Sequence, residues 1–177
     1  MTAGPALKIT TVVGNPRIGS RTRLAAEAVA EGVAGLAREH GRARDLHVVE
    51  LAELARQLFV FPSEHVDAAL ALVQSSFLLV VASPTYKATY TGLLKAFFDR
   101  FGSNALAGVV AVPVMLGGAP IHMLAVDTHL TPLLLELGAS CPTRGLFILE
   151  SELDQLDAVV GAWREANRPI LQRLLRG

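Results

Sequence analysis

Cys141 is the only thiol in the chain, which excludes an internal disulfide framework and any cysteine cluster for metal. No apolar run approaches the ~20 residues needed to cross a bilayer. The beginning of the chain lacks a charged stretch followed by a long apolar segment and a cleavage site, so a cytoplasmic location is expected. The formal net charge is zero. That argues against a broad basic face for nucleic acid or a membrane surface, and any anion site must therefore be local. No His-x-x-x-His pair offers ligand spacing, and no metal is expected. Lysine is scarce, and Tyr86 and Tyr90 are the only tyrosines. One more absence is the most informative: no Asp or Glu occurs before Glu27, although Arg17, Arg21 and Arg23 crowd the start of a helical pattern.

What is present is a hydrophobic fraction of 51% in 177 residues, enough for the core of one domain spanning 1–177. Short runs rich in valine, leucine and isoleucine predict buried strands at Leu7–Val13, 77–82, 109–115 and Leu146–Leu149, with a weaker one at 45–51. Apolar residues spaced by three and four predict helices over 20–38, 66–75, 91–101, 123–137 and 153–175. This alternation predicts an α/β fold, a doubly wound five-stranded parallel sheet with helices on both faces, of the flavodoxin-like kind. Ligands of such sheets gather beyond the carboxyl ends of the strands, which directs attention to loops 14–22, 83–90 and 116–122. Residues 52–64 read as a surface excursion in which Phe59 and Phe61 form a local packing cluster.

A helix N-terminus carries partial positive charge and unpaired N–H groups, so clustered arginines there are in electrostatic conflict. A bound phosphate would resolve it, with backbone N–H groups, the Ser20 and Thr22 hydroxyls and the Arg17 guanidinium as donors. The loop has neither the G-x-G-x-x-G of dinucleotide folds nor the Gly-Lys pair of nucleoside triphosphatases. A terminal monophosphate fits what remains. A plain helix cap with solvated arginines fits it equally well. The second loop, Ser83-Pro84-Thr85-Tyr86-Lys87-Ala88-Thr89-Tyr90, is polar, aromatic and stiffened by proline, as the edge of a planar heterocycle requires.

These segments carry a family resemblance. Gly14-Asn15-Pro16-Arg17 with Ser20 and Thr22, Ser83 to Ala88 with Tyr90 and Gly92-Leu93-Leu94-Lys95, Gly117-Gly118, and His122-Met123-Leu124-Ala125-Val126-Asp127 with Pro132 resemble the NADPH-dependent FMN reductases, especially the alkanesulfonate-utilisation type. The resemblance implies hydride transfer from NADPH or NADH to flavin N5 and supply of reduced FMN to a partner flavin-dependent monooxygenase. It places the FMN phosphate on Arg17, Ser20 and Thr22, with Asn15 where the family usually has serine. It places the isoalloxazine beside Pro84, Thr85, Tyr86 and Lys87 and beside Gly117, Gly118 and Ala119. A homodimer or homotetramer is expected, with the third and fourth helices as the interface. After Asp127, relatives of this type commonly carry a tyrosine on a helix with a π-bulge, whereas this chain has Thr128-His129.

Two other readings stay open on the residues. One is a tightly FMN-bound reductase of quinones, azo compounds or chromate. The other is a non-enzymatic flavodoxin-like electron carrier, against which the zero net charge argues, since such carriers dock through strong acidity. His122 is either a site residue or a cap. Cys141 reads as a buried bystander at the start of the last strand.

Overall fold

The computed structural model describes residues 6–176. Its elements run β1 (Leu7–Val13), α1 (Arg21–Glu39), β2 (Arg44–Glu50), α2 (Leu51–Leu54), α3 (Glu64–Gln74), β3 (Leu78–Pro84), α4 (Gly92–Phe98), β4 (Val110–Gly117), α5 (Thr131–Glu136), β5 (Leu146–Leu149) and α6 (Leu156–Arg176). The five strands form one parallel sheet in the order β2-β1-β3-β4-β5. The order reverses between β1 and β3, so the loops after these strands diverge at a crevice.

Period-two alternation sends side chains to both faces of the sheet. Ile9 and Val13 of β1, Val80 and Ala82 of β3 and Val112 and Val114 of β4 meet α1 and α6 on one side. Val12, Leu79, Val81, Ala111 and Met115 meet α3, α4 and α5 on the other. Because both faces are covered, the central strands read as unbroken apolar runs rather than alternating ones. Phe97 and Phe98 of α4 are fully buried, each contributing about 1.5–3 kcal/mol of transfer energy. Among the described residues no helix is long and apolar enough to cross a membrane.

Leu7–Val13 and Leu146–Leu149 coincide with expectation, while β3 and β4 extend to Pro84 and Gly117 and so each carry two expected loop residues, Ser83 with Pro84 and Leu116 with Gly117. The helix expected over 123–137 is not continuous. It is a 3-10 turn at Pro120–His122, a π-helical turn at Val126–Leu130 and then α5. Cys141 does not begin the last strand but precedes it, since β5 starts at Leu146. Phe59 and Phe61 do not form a buried packing cluster, being 79% and 70% exposed. Phe61 instead covers the Arg100 guanidinium at 3.9 Å.

Candidate functional site

The first loop leaves β1 at Val13, which stands in register with Ala82 on one side and Glu50 on the other. Gly14 donates to the Ala82 carbonyl at 2.7 Å, and a Cβ on it would lie 2.8 Å from Leu94 Cβ, so only glycine lets the chain pass under α4. Asn15 is buried and shapes the turn: its Oδ1 accepts from Arg17 N at 2.9 Å, and its Nδ2 donates to Thr22 Oγ1 at 3.0 Å. Gly19 turns the chain at a φ of +63°, and Ser20 caps α1 by accepting from Arg23 N at 3.3 Å.

The expected conflict among three arginines is largely resolved by acids from elsewhere. Arg21 pairs with Glu150 at 3.0 Å, and Arg23 pairs with Glu27 at 3.1 Å and Glu50 at 2.8 Å. Hydrogen bonds to Glu27 and Glu50 hold the Arg23 guanidinium above its ordinary range. Neither partner strand end was legible as a source of counter-charge, because 27 residues separate Arg23 from Glu50 and 129 separate Arg21 from Glu150. Among the described residues the Arg17 guanidinium makes no ion pair. It is the one arginine of the three left for a ligand.

The second loop is fastened from within. Buried Ser83 Oγ accepts from Thr91 N at 3.0 Å, and Thr91 Oγ1 donates to the Gly14 carbonyl at 2.6 Å while accepting from Leu94 N at 3.1 Å. Between these anchors Tyr86 and Thr89 exchange backbone hydrogen bonds of 2.8 and 3.2 Å across a two-residue turn. Lys87 and Ala88 at its tip have φ of 51° and 67°. Such turns favour Asn-Gly, so two side-chain-bearing residues here hold strain of about 1–3 kcal/mol each. Tyr86, Lys87 and Ala88 are exposed.

The third loop completes the floor. Thr85 N donates to the Leu116 carbonyl at 2.7 Å, bringing the β3 and β4 ends together. A Cβ on Gly117 would lie 2.6 Å from Phe147 Cζ and 3.1 Å from Thr85 Oγ1. The Thr85 hydroxyl is itself buried without a hydrogen-bond partner. Gly118 has open space where a Cβ would be, and the half-buried Ala119 carbonyl accepts from His122 N at 3.2 Å.

A cavity of about 380 Å³ lies at this crevice. Asn15, Arg17, Ser20, Thr22, Pro84 and Tyr86 line it, together with Arg21, Leu116 and Glu150, which sequence reasoning did not select. Thr85 and Gly117 form the adjoining β3–β4 edge, Gly118 and Ala119 continue past it, and Lys87 sits at the hairpin tip outside the cavity lining. The residues fit a flat ring ending in a monophosphate. An unpaired guanidinium lies at one end, and an orphaned hydroxyl beside an obligatory glycine lies toward the other. Glu50, Ser83 and Thr91 were missed as organisers of the site; the position of Thr91 just before a helical pattern was the only available signal.

The π-turn beside this floor persists with Thr128-His129 in place of an aromatic. Thr128 Oγ1 donates to the Leu124 carbonyl at 2.8 Å and Thr131 Oγ1 to the Val126 carbonyl at 3.1 Å. Asp127 Oδ1 accepts from Gly145 N at 3.0 Å, where a Cβ on Gly145 would lie 2.4 Å from Val126 Cγ2. His129 is exposed and His122 half-buried.

A model of the family described as NADPH-dependent FMN reductase matches residues 7–154. The chain is 34% identical over 149 residues to an FMN reductase (NADPH) of Escherichia coli (strain K12), covering 83% of this chain and 75% of that one. It is 39% identical over 93 residues to an FMN reductase (NADPH) of Pseudomonas putida, covering 52% of this chain and about half, 47%, of that relative's length. The solved structure of the NADH:FMN oxidoreductase EMOB in its apo form is similar with a TM-score of 0.72 at 28% identity, over 91% of this chain and 90% of that one. The five-stranded flavodoxin-like sheet, the crevice chemistry and the match over most of its length place this chain in the NADPH-dependent FMN reductase family, as an oxidoreductase of FMN and NAD(P)H.

Proposed function

We propose that this enzyme binds FMN as an exchangeable substrate, reduces it with NAD(P)H and releases reduced FMN to a separate flavin-dependent monooxygenase of the sulfonate or sulfur-assimilation kind. FMN supplies the hydride acceptor, N5 of its ring, so the protein's task is placement rather than acid–base chemistry. Arg17, Ser20 and the N–H groups opening α1 hold the phosphate, and Asn15 and Thr22 keep that turn in shape. Pro84, Thr85, Tyr86 and Lys87 border the ring on one side, and Gly117, Gly118 and Ala119 on the other. Thr85 Oγ1, buried and unpartnered, gains a polar ring atom as its partner.

The observation that carries this reading is Arg17, among the described residues the one arginine lining this cavity without an ion pair, since the other, Arg21, is already neutralised by Glu150. One free guanidinium matches one phosphate. The rim formed by the exposed Tyr86 and Lys87 supports exchange rather than permanent retention. We further propose a homodimer or homotetramer in which a second subunit walls the crevice. Ile121, Met123 and Leu124 support this, being exposed next to the glycine-rich floor.

Anaerobic mixing with NADPH or NADH and FMN tests the reaction: the visible flavin band bleaches, and failure to bleach overturns the reading. Gel filtration after loading with FMN tests exchange. Colourless protein is the expected result, and stoichiometric yellow protein supports instead a tightly bound reductase of quinones, azo compounds or chromate.

A further inference from the structure

Glu50 is a buried acid that the reaction does not use. It ends β2, one strand away from the loop, and its side chain is only 2% exposed. Both oxygens are engaged: Oε1 accepts from Gly19 N at 2.7 Å, and Oε2 pairs with Arg23 Nη1 at 2.8 Å. Gly19 is the turn residue with positive φ, immediately before the cap of α1. Its N–H is therefore committed to Glu50, and that bond sets the direction of the peptides that follow.

Arg23 lies on the far side of the loop from the ligand cavity. It is absent from the cavity that Arg17 and Arg21 line, and with Leu24 and Glu27 it lines a separate groove behind Gly19 and Ser20. A carboxylate buried beneath an anion site carries two costs, its own desolvation and repulsion of the ligand; a guanidinium in contact offsets both.

We propose, building on the phosphate reading above, that Glu50 is the positioning residue of the phosphate loop and that Arg23 is its counter-ion rather than a phosphate ligand. The two act as a strut: Glu50 fixes the Gly19 turn, and Arg23 makes that buried charge tolerable to the bound phosphate. Of the three arginines, Arg17 alone contacts the phosphate.

Flavin fluorescence titration of the full chain with FMN, and with riboflavin as the ligand lacking phosphate, tests this on four variants. Glu50→Gln keeps an acceptor for Gly19 N–H and retains FMN affinity within about threefold, whereas Glu50→Ala loses about tenfold, the scale of one charge-assisted hydrogen bond. Arg23→Gln leaves Glu50 uncompensated and loses about tenfold for FMN, and the double variant Arg23→Gln/Glu50→Gln recovers to within about threefold of the original chain. Riboflavin affinity is unchanged throughout. A double variant as weak as Arg23→Gln alone overturns the proposal by making Arg23 a direct ligand. Parallel losses of riboflavin affinity overturn it by making the strut a general fold element. If the unaltered chain binds FMN no better than riboflavin, the phosphate reading itself falls, a result separate from the other two.

Discussion

Thr91 Oγ1 donates a 2.6 Å hydrogen bond to the carbonyl of Gly14, tying together loops 77 residues apart in sequence. The same oxygen caps α4 through Leu94 N, and Thr91 N donates to Ser83. One buried side chain thus sets the distance between the phosphate loop and the ring loop. Thr91→Val keeps the shape and orphans the Gly14 carbonyl and the Leu94 N–H, costing about 1–3 kcal/mol. Thr91→Ser restores most of it. Urea denaturation of the two variants measures the difference, and equal stability of Thr91→Val and the original chain contradicts the role.

Arg17→Ala tests the single-cation argument. FMN affinity falls by about 1.5–3 kcal/mol, the range for a hydrogen bond to a charged group, while riboflavin affinity is unchanged. Calorimetric titration with both flavins gives the comparison; equal losses refute the assignment.

Gly117→Ala places a methyl 2.6 Å from Phe147 Cζ and against Thr85 Oγ1. Overpacking of this kind costs about 1–3 kcal/mol and pushes the β4 end outward into the ring site. Adding Phe147→Leu relieves the clash. The expected outcome is a raised KM for FMN in Gly117→Ala that falls again in the double variant.

Gly145→Ala drives a Cβ into Val126 and Asp127, displacing the π-turn from its clamp. A lower Tm is expected, whereas His129→Ala, on the exposed side of that turn, changes stability by no more than about 0.5 kcal/mol. A Gly145→Ala chain as stable as the original removes the clamp argument.

Burial pushes the Cys141 thiol from 9.0 up to about 11. The folded state thus keeps its proton where the unfolded chain has lost it, so protein stability is unaffected below about pH 9 and declines as pH rises from 9 toward 11. Alkylation by iodoacetamide at mildly alkaline pH is slow until the chain unfolds. Rapid modification of folded protein at that pH contradicts this.

The sheet and its order of elements were readable because both-face burial leaves continuous apolar runs, as in Val80 and Val81 or Val112 and Val114, that only covered parallel strands show. The π-turn was not readable from periodicity, since Val126, Leu130 and Leu134 keep an ordinary helical spacing; only the family resemblance pointed to the helix around Asp127, and the Gly145 backbone that abuts it comes from another loop. The cavity-lining residues of the first loop were legible through their local chemistry. Their support was not: Glu50, Glu150 and Thr91 act across 31, 129 and 77 residues respectively, and sequence spacing carries no trace of such pairings. The electrostatic conflict at Arg21 and Arg23 was real in sequence and is answered within the fold, which narrows the free cation to Arg17.

The hairpin tip at Lys87 and Ala88 has a kinetic consequence. Two left-handed residues closed by the Tyr86–Thr89 pair give a rim already in its final shape before any ligand arrives. No ordering entropy is then charged to each arrival, and no loop must melt for each departure. For the exchangeable flavin proposed above, that keeps residence time in the hands of the contacts alone. Replacing Ala88 with glycine removes the strain from the tip and, with it, the stiffness that the proposed exchange relies on.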